Sequence, residues 1–222
     1  HYVLRRALAS GDSWNGGLTE LYEALVNDRL YPDPDRMVLF EGNHDVPRLY
    51  SAMGEDLALT KMALAYVLTM RGIPQLYYGT EVLMTSPRQR DDGATRQDFP
   101  GGWAGDAVNA RTGEGLSAAQ RDMQAFLRRL MNWRRTQSVV HRGRLMHYAP
   151  ENGVYTYFRY EGDRQVMVVF NKNGSDASVD TRRYTERLRA GASGVDVISG
   201  ERLTLWPALA MPARSVRVIE LD

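Results

Sequence analysis

The feature that most restricts this chain is a helix hemmed in by two short apolar runs. Residues Glu55–Met70 are apolar on most sides and end in Arg71-Gly72, with glycine where helices commonly stop. Before it stands Met37-Val38-Leu39-Phe40; after it stands Ile73-Pro74-Gln75-Leu76-Tyr77-Tyr78-Gly79. Both runs lack alternation and are bounded by glycine, so both are expected as short buried strands. Pro74 sits near the start of its run, where a missing N–H is tolerated. Strand, all-round apolar helix, strand is the pattern of a βα unit in a parallel sheet.

The first strand ends in a dense polar group, Gly42-Asn43-His44-Asp45, followed by Pro47 and Arg48. Pro47 disfavours immediate helix, so the group is expected on a loop. Hydrogen-bonding and ionisable side chains at the C-terminal end of a parallel strand mark the working face of a barrel enzyme. The paired residues His44-Asp45 also admit a metal-dependent phosphohydrolase reading. That chemistry needs several more ligands, and only His1, His141 and His147 remain, without metal-ligand spacing.

Upstream, Leu18, Leu21, Tyr22 and Leu25 form the stripe of an amphipathic helix running from Gly17 to Tyr31. Residues 1–12 carry too little pattern to place. Residues 84–116, with Gly93, Gly101, Gly102, Gly105, Gly113 and Gly115, read as one long loop, a form that is usually functional in a compact domain. Ser117-Ala-Ala-Gln120 matches a capping box and opens a helix whose buried face is Met123, Phe126, Leu127, Leu130 and Met131. Arg121, Arg128 and Arg135 are read as its solvated side. From about His141 the pattern changes to short β runs, Val154–Tyr160, Gln165–Phe170, Val195–Ile198, Arg202–Trp206 and Ser215–Leu221, separated by turn signals. These are expected to form a small antiparallel sandwich that includes Tyr155, Tyr157 and Trp206.

With 28 Lys+Arg against 27 Asp+Glu, no basic footprint for nucleic acid exists. No apolar run is long enough to span a membrane. Cysteine is absent, which excludes disulfides and thiolate chemistry and is compatible with cytosol or periplasm. The chain opens at His1 inside a folding pattern, so a fragment of a longer protein is expected.

Two motifs together carry a resemblance to the α-amylase family of glycoside hydrolases (glycoside hydrolase family 13). Phe40-Glu-Gly-Asn43-His44-Asp45 is similar to that family's motif at barrel strand seven. Gly72-Ile-Pro-Gln-Leu-Tyr-Tyr-Gly79-Thr-Glu81 is similar to its strand-eight motif. The run Asp91-Asp92-Gly-Ala-Thr-Arg96-Gln-Asp98-Phe-Pro-Gly-Gly-Trp103 most resembles the cyclomaltodextrinase/neopullulanase branch. The resemblance implies an α/β plus all-β chain: residues 1–138 would be the C-terminal portion of a (β/α)8 TIM barrel, its last two βα units, and residues 139–222 a C-terminal antiparallel β-sandwich.

It further implies that Asp45 is the carboxylate supporting the transition state, being neither nucleophile nor acid. His44 and Asn43 would meet sugar hydroxyls, and Arg48 would join the substrate group or position the Asp45 loop. Asp92 and Arg96 would hold a sugar further toward the non-reducing end, although a plain surface ion pair reads equally well. Tyr77 and Tyr78 are read as packing, Glu81 as a structural hydrogen-bonding residue, and Trp103 as a sugar platform or a loop anchor. The implied partners are an α-glucan oligosaccharide or cyclodextrin and the remainder of the barrel; a homodimer of the parent is compatible. Relatives often bind structural calcium, but no cofactor and no metal site is evident in this chain. The family points to the periplasm or the exterior.

Retaining glycosidases need a nucleophile and a general acid about 5 Å apart. In this family both lie upstream of strand seven, and no candidate stands before Met37. The chain alone is therefore expected to be inactive. The other functional class is a non-catalytic amylase-fold binding or scaffold protein, against which the intact Asn43-His44-Asp45 group weighs.

Overall fold

The computed structural model describes residues 1–222. Helix α1, Tyr2–Ala9, forms where the sequence showed no pattern. Its three buried positions, Leu4, Ala7 and Leu8, make a stripe only two turns long, too short to register as periodicity. Helix α2 is Leu18–Ala24, half the expected length. Residues Leu25–Leu30 tighten into 3₁₀ geometry, where the Asn27 amide donates to the Ala24 carbonyl (3.1 Å), a local bond that competes with continued α-helix.

Strand β1 is Val38–Phe40, and the polar loop runs from Glu41 to Arg48 before a single turn of helix, α3, Leu49–Ala52. Helix α4, Leu57–Thr69, is capped by Asp56, whose carboxylate accepts from the Leu59 amide at 3.0 Å. Ten of its thirteen residues are buried, as an all-round apolar sequence requires. Strand β2, Ile73–Gln75, pairs parallel with β1 in the register Val38–Ile73, Leu39–Pro74, Phe40–Gln75. Gly72 makes the turn into it at φ +103, and a side chain there would lie 2.7 Å from the Met37 carbonyl, the acceptor of the first bridging hydrogen bond.

Two strand expectations need correction. The second strand stops at Gln75, because the Tyr77 amide turns to the Glu41 carboxylate and Gly79 enters the left-handed region. Nor are the strands fully buried. Leu39 and Leu76 pack inward against the helices, while Val38 and Ile73 are each 53 % exposed on a face that no other strand of this chain covers.

The long loop contains one helical turn, α5, Asp92–Thr95, capped by Asp91. Helix α6, Ala118–Arg134, realises the capping box: Ser117 Oγ accepts from the Gln120 amide (3.2 Å) and Gln120 Oε1 from the Ser117 amide (2.8 Å). Met131, expected inside, is exposed, whereas Met123, Phe126, Leu127 and Leu130 are buried. After α7, Ser138–Arg142, come eight strands: β3 Arg144–His147, β4 Val154–Glu161, β5 Arg164–Asn171, β6 Ala177–Asp180, β7 Ser193–Asp196, β8 Arg202–Thr204, β9 Ala208–Met211 and β10 Ser215–Leu221. Six form one antiparallel sheet in the order β3-β4-β5-β10-β7-β8; β6 and β9 form a separate ribbon.

The expected sandwich is thus six strands against two, and its larger sheet is buried on both sides. Tyr155, Tyr157, Val166, Val168, Phe170 and Val218 point into the core shared with α1, α2, α4 and α6. Phe158, Met167, Val169 and Ile219, on the opposite pleat, meet Leu209 and Met211 of the ribbon. No helix is long and apolar enough to cross a membrane.

His147 lies at this junction. Its ring is 4.6 Å from that of Tyr22, its Nδ1 is 3.1 Å from the Tyr155 hydroxyl, and burial pushes its pKa below the usual value, against a weaker opposing pull from Asp28. The fold favours the neutral ring, so its contribution is whole above the unfolded value of about 6.5 and is lost as pH falls through the lower folded value. The urea midpoint should therefore drop more steeply below that pH in the native chain than in His147→Gln. Parallel profiles would show that His147 carries none of the effect.

Candidate active site

Residues 41–48 leave β1 and return to α3 over a short span, and each end is fixed to the loop that follows β2. Glu41 is 1 % exposed. Its Oε1 accepts from the Tyr77 amide at 3.0 Å and the Thr80 hydroxyl at 2.8 Å, and its backbone carbonyl accepts from Arg5 Nε at 2.8 Å. Burial pushes the Glu41 carboxyl up, opposed by these hydrogen bonds and by Arg5 and Arg48. At the other end the Arg48 guanidinium lies 4.5 Å and 4.6 Å from the ring centres of Tyr77 and Tyr78 and donates to the Tyr78 carbonyl. The Arg48 amide donates to Ser86 Oγ at 2.9 Å. Gly79 keeps this junction open: at φ +83, a Cβ would collide with Met84 Sδ and come within 2.8 Å of Arg48 Nη1.

Between those ends the polar group faces outward. Asn43 Oδ1 accepts the Asp45 amide at 2.9 Å, a local turn that sets the Asp45 backbone. Asp45 Oδ1 is 3.1 Å from Arg96 Nη2 and 3.4 Å from His44 Nε2. Arg96 Nε also donates to the His44 carbonyl at 3.3 Å, and its Nη2 is 3.6 Å from Asp92 Oδ2. Arg90 binds Asp92 at 2.9 Å and, with Arg96 and His44, holds its carboxyl below the usual range. The Asp45 side chain stays 47 % exposed.

The geometry therefore brings together Asp45, His44, Asp92 and Arg96 across fifty residues of sequence, with Asn43 beneath them. Arg48 stands apart from that group. It is 2 % exposed and faces the tyrosines, the placement expected of a residue that positions the Asp45 loop. The structural bonds expected of Glu81 are made by Glu41, while Glu81 borders a cavity of about 390 Å³ together with Tyr77, Tyr78 and Gln124. Trp103 is exposed on a loop pinned by Asp106, whose Oδ2 accepts from the amides of Gly101 (2.8 Å) and Trp103 (3.2 Å). Glu41, Arg5 and Ser86 were not singled out from sequence. The signal for Glu41 was present, a carboxylate directly after an apolar strand and before a glycine. No group of three or more His, Cys, Asp or Glu side chains is placed to hold a metal ion.

Such a site presents a fixed carboxylate at the end of a parallel strand, with an imidazole and a guanidinium beside it to orient hydroxyl groups. Residues 12–158 match the family model described as alpha amylase, catalytic domain, and residues 145–220 match the cyclo-malto-dextrinase C-terminal domain. The chain is 29 % identical over 186 residues to a cyclomaltodextrin glucanotransferase of Thermoanaerobacterium thermosulfurigenes, covering 83 % of this chain and 22 % of that protein. It is 26 % identical over 205 residues to an alpha-amylase of Niallia circulans, covering 89 % and 35 %. The chain thus spans between about a fifth and a third of these relatives. Among solved structures, the alpha-amylase from Geobacillus thermoleovorans, complexed with acarbose, shares the fold with a TM-score of 0.75 at 19 % identity, over 99 % of this chain and 46 % of that one. Since the catalytic-domain match takes in well over half of its residues, the chain belongs to the alpha-amylase family of glycoside hydrolases.

Proposed function

We propose that this chain is the later part of a retaining glycoside hydrolase acting on α-1,4-linked glucans or cyclomaltodextrins. Residues 1–138 contribute the last two βα units of its (β/α)8 barrel and residues 139–222 its C-terminal β domain. The observation that carries the reading is the Asp45 carboxylate, half exposed at the C-terminal end of a parallel strand and flanked by His44 and Arg96. As the glycosidic bond breaks, positive charge grows on the sugar ring, and an anion already fixed in place favours that state without reorganising. His44 and Arg96 orient the carboxylate and offer hydrogen bonds to sugar hydroxyls; Asp92 and Arg96 extend this polar surface away from the scissile bond.

The nucleophile and general acid come from barrel strands that precede this chain in the parent. The exposure of Val38 and Ile73 supports this reading, since the other strands of a closed barrel would shield that face. Purified chain incubated with maltohexaose or β-cyclodextrin should release no reducing sugar, whereas the parent should hydrolyse one or both with retained anomeric configuration. Turnover by the isolated chain would overturn the proposal.

A further inference from the structure

The segment carrying Asp45 has two anchors, both buried charged side chains. Arg48 anchors its far end on the Tyr77 and Tyr78 rings and the Tyr78 carbonyl. Glu41 anchors its near end on the Tyr77 amide and the Thr80 hydroxyl. Within the segment, the Asn43 turn fixes only local geometry, relating Asp45 to its immediate neighbours. The placement of Asp45 relative to the loop after β2 therefore depends on the two ends.

We propose that Glu41 is a positioning residue for the reaction: its carboxylate holds β1's exit loop to β2's exit loop and so sets where the Asp45 carboxylate stands. It touches no substrate. The inference rests on the reading of Asp45 as the transition-state carboxylate. Strand pairing ends at Phe40 and Gln75, so beyond that point no ladder bond joins the two chains, and Glu41 supplies the next connection. A buried carboxylate is unfavourable unless donors and cations surround it. Here two donors converge on Oε1, with Arg5 and Arg48 close enough to act on its charge. Glutamine keeps the length and an acceptor oxygen but removes the charge and brings an NH₂ group into the space around Oε2, which has no hydrogen-bond partner. Aspartate keeps the charge but is one methylene too short to reach both donors.

The test uses the full-length enzyme that contains this chain, with maltohexaose as substrate, and variants Glu41→Gln, Glu41→Asp and Thr80→Val. A displacement of about 1 Å at a reacting centre costs on the order of 100-fold. Glu41→Asp should therefore lower kcat by roughly 100-fold and Glu41→Gln by roughly 10-fold, each with KM within about twofold, because the misplaced anion is felt chiefly in the transition state. Thr80→Val removes one of the two bonds while keeping the side chain's shape; it should lower kcat about threefold.

A purely structural Glu41 would lower the denaturation midpoint and leave kcat per folded molecule unchanged; that result, or a rise in KM alone, overturns the proposal. If the Glu41 variants do not fold, unchanged kcat in Thr80→Val overturns it equally. Asp45→Asn measured in parallel separates the two claims. If it retains kcat, the reading of the site has failed; if it loses kcat while the Glu41 and Thr80 variants keep theirs, only the positioning role has failed.

Discussion

Asp45→Asn in the full-length enzyme is expected to lower kcat by about three orders of magnitude while leaving the urea midpoint almost unchanged. The first half follows from charge. Removing one preorganised electrostatic contact to a developing charge typically costs about 100- to 1,000-fold, and Asp45 is proposed to be a full anion facing a cationic ring. A factor of about 1,000 is roughly 4 kcal/mol of transition-state stabilisation. The second half follows from exposure. The Asp45 side chain is half exposed and its partners Arg96 and His44 are similarly open, so the ion pair adds only about 0–1 kcal/mol to stability. Asparagine also keeps an oxygen for Arg96 and leaves the backbone bond to Asn43 intact. Steady-state kinetics on maltohexaose, with urea titration of the same samples, separates the two quantities. A kcat within tenfold of the native value would remove Asp45 from the chemistry.

Parts of this site were readable because local chemistry settles them. The capping box at Ser117 and Gln120 is a contract between residues three apart, and α6 begins where it specifies. Helix α4 was legible because an apolar surface on every side admits only burial. The outward polar group at Asn43–Asp45 followed from a strand ending in glycine. Long-range choices were hidden. Nothing near Arg48 announces that two tyrosines some thirty residues later will pack against its guanidinium and bury it. Glu41 and Glu81 each follow a strand or its extension, and only the tertiary fold decides which meets the Tyr77 amide. Strands β3, β6 and β9 hold a single β-branched residue between them, Val179, and are selected by the sheet or ribbon they join.

The other large effect concerns stability, at a residue far from the proposed chemistry. Arg159 on β4 is 0 % exposed, and its side chain has no carboxylate partner. Its Nη1 donates to the Thr69 carbonyl at 3.0 Å and its Nη2 to the Gly143 carbonyl at 2.7 Å, the C-terminal ends of α4 and α7. Arg134 reinforces the first site by donating to the Leu68 carbonyl at 2.8 Å, and the Tyr157 and Thr69 hydroxyls meet at 2.6 Å. These carbonyls carry the negative ends of their helices, so a cation there satisfies acceptors that the helices cannot.

Burial nonetheless lowers the Arg159 pKa to about 10. The charged form is thus less favourable folded than unfolded, and at neutral pH the charge itself weakens the fold. What Arg159 contributes is two hydrogen bonds and the volume it fills. Arg159→Ala loses both and should destabilise the chain by about 4 kcal/mol, combining a cavity with orphaned carbonyls. Arg159→Met keeps most of the volume and discards the buried charge, so it should lose only about half as much. Arg159→Lys should fall below Met, because a strongly hydrated ammonium would be buried with fewer donors to place. Urea midpoints in the order Arg, Met, Lys test whether packing and carbonyl capping, rather than charge, join the helical layer to the sheet. Lysine equal to the native chain, with methionine equal to alanine, would show that charge is the joining force.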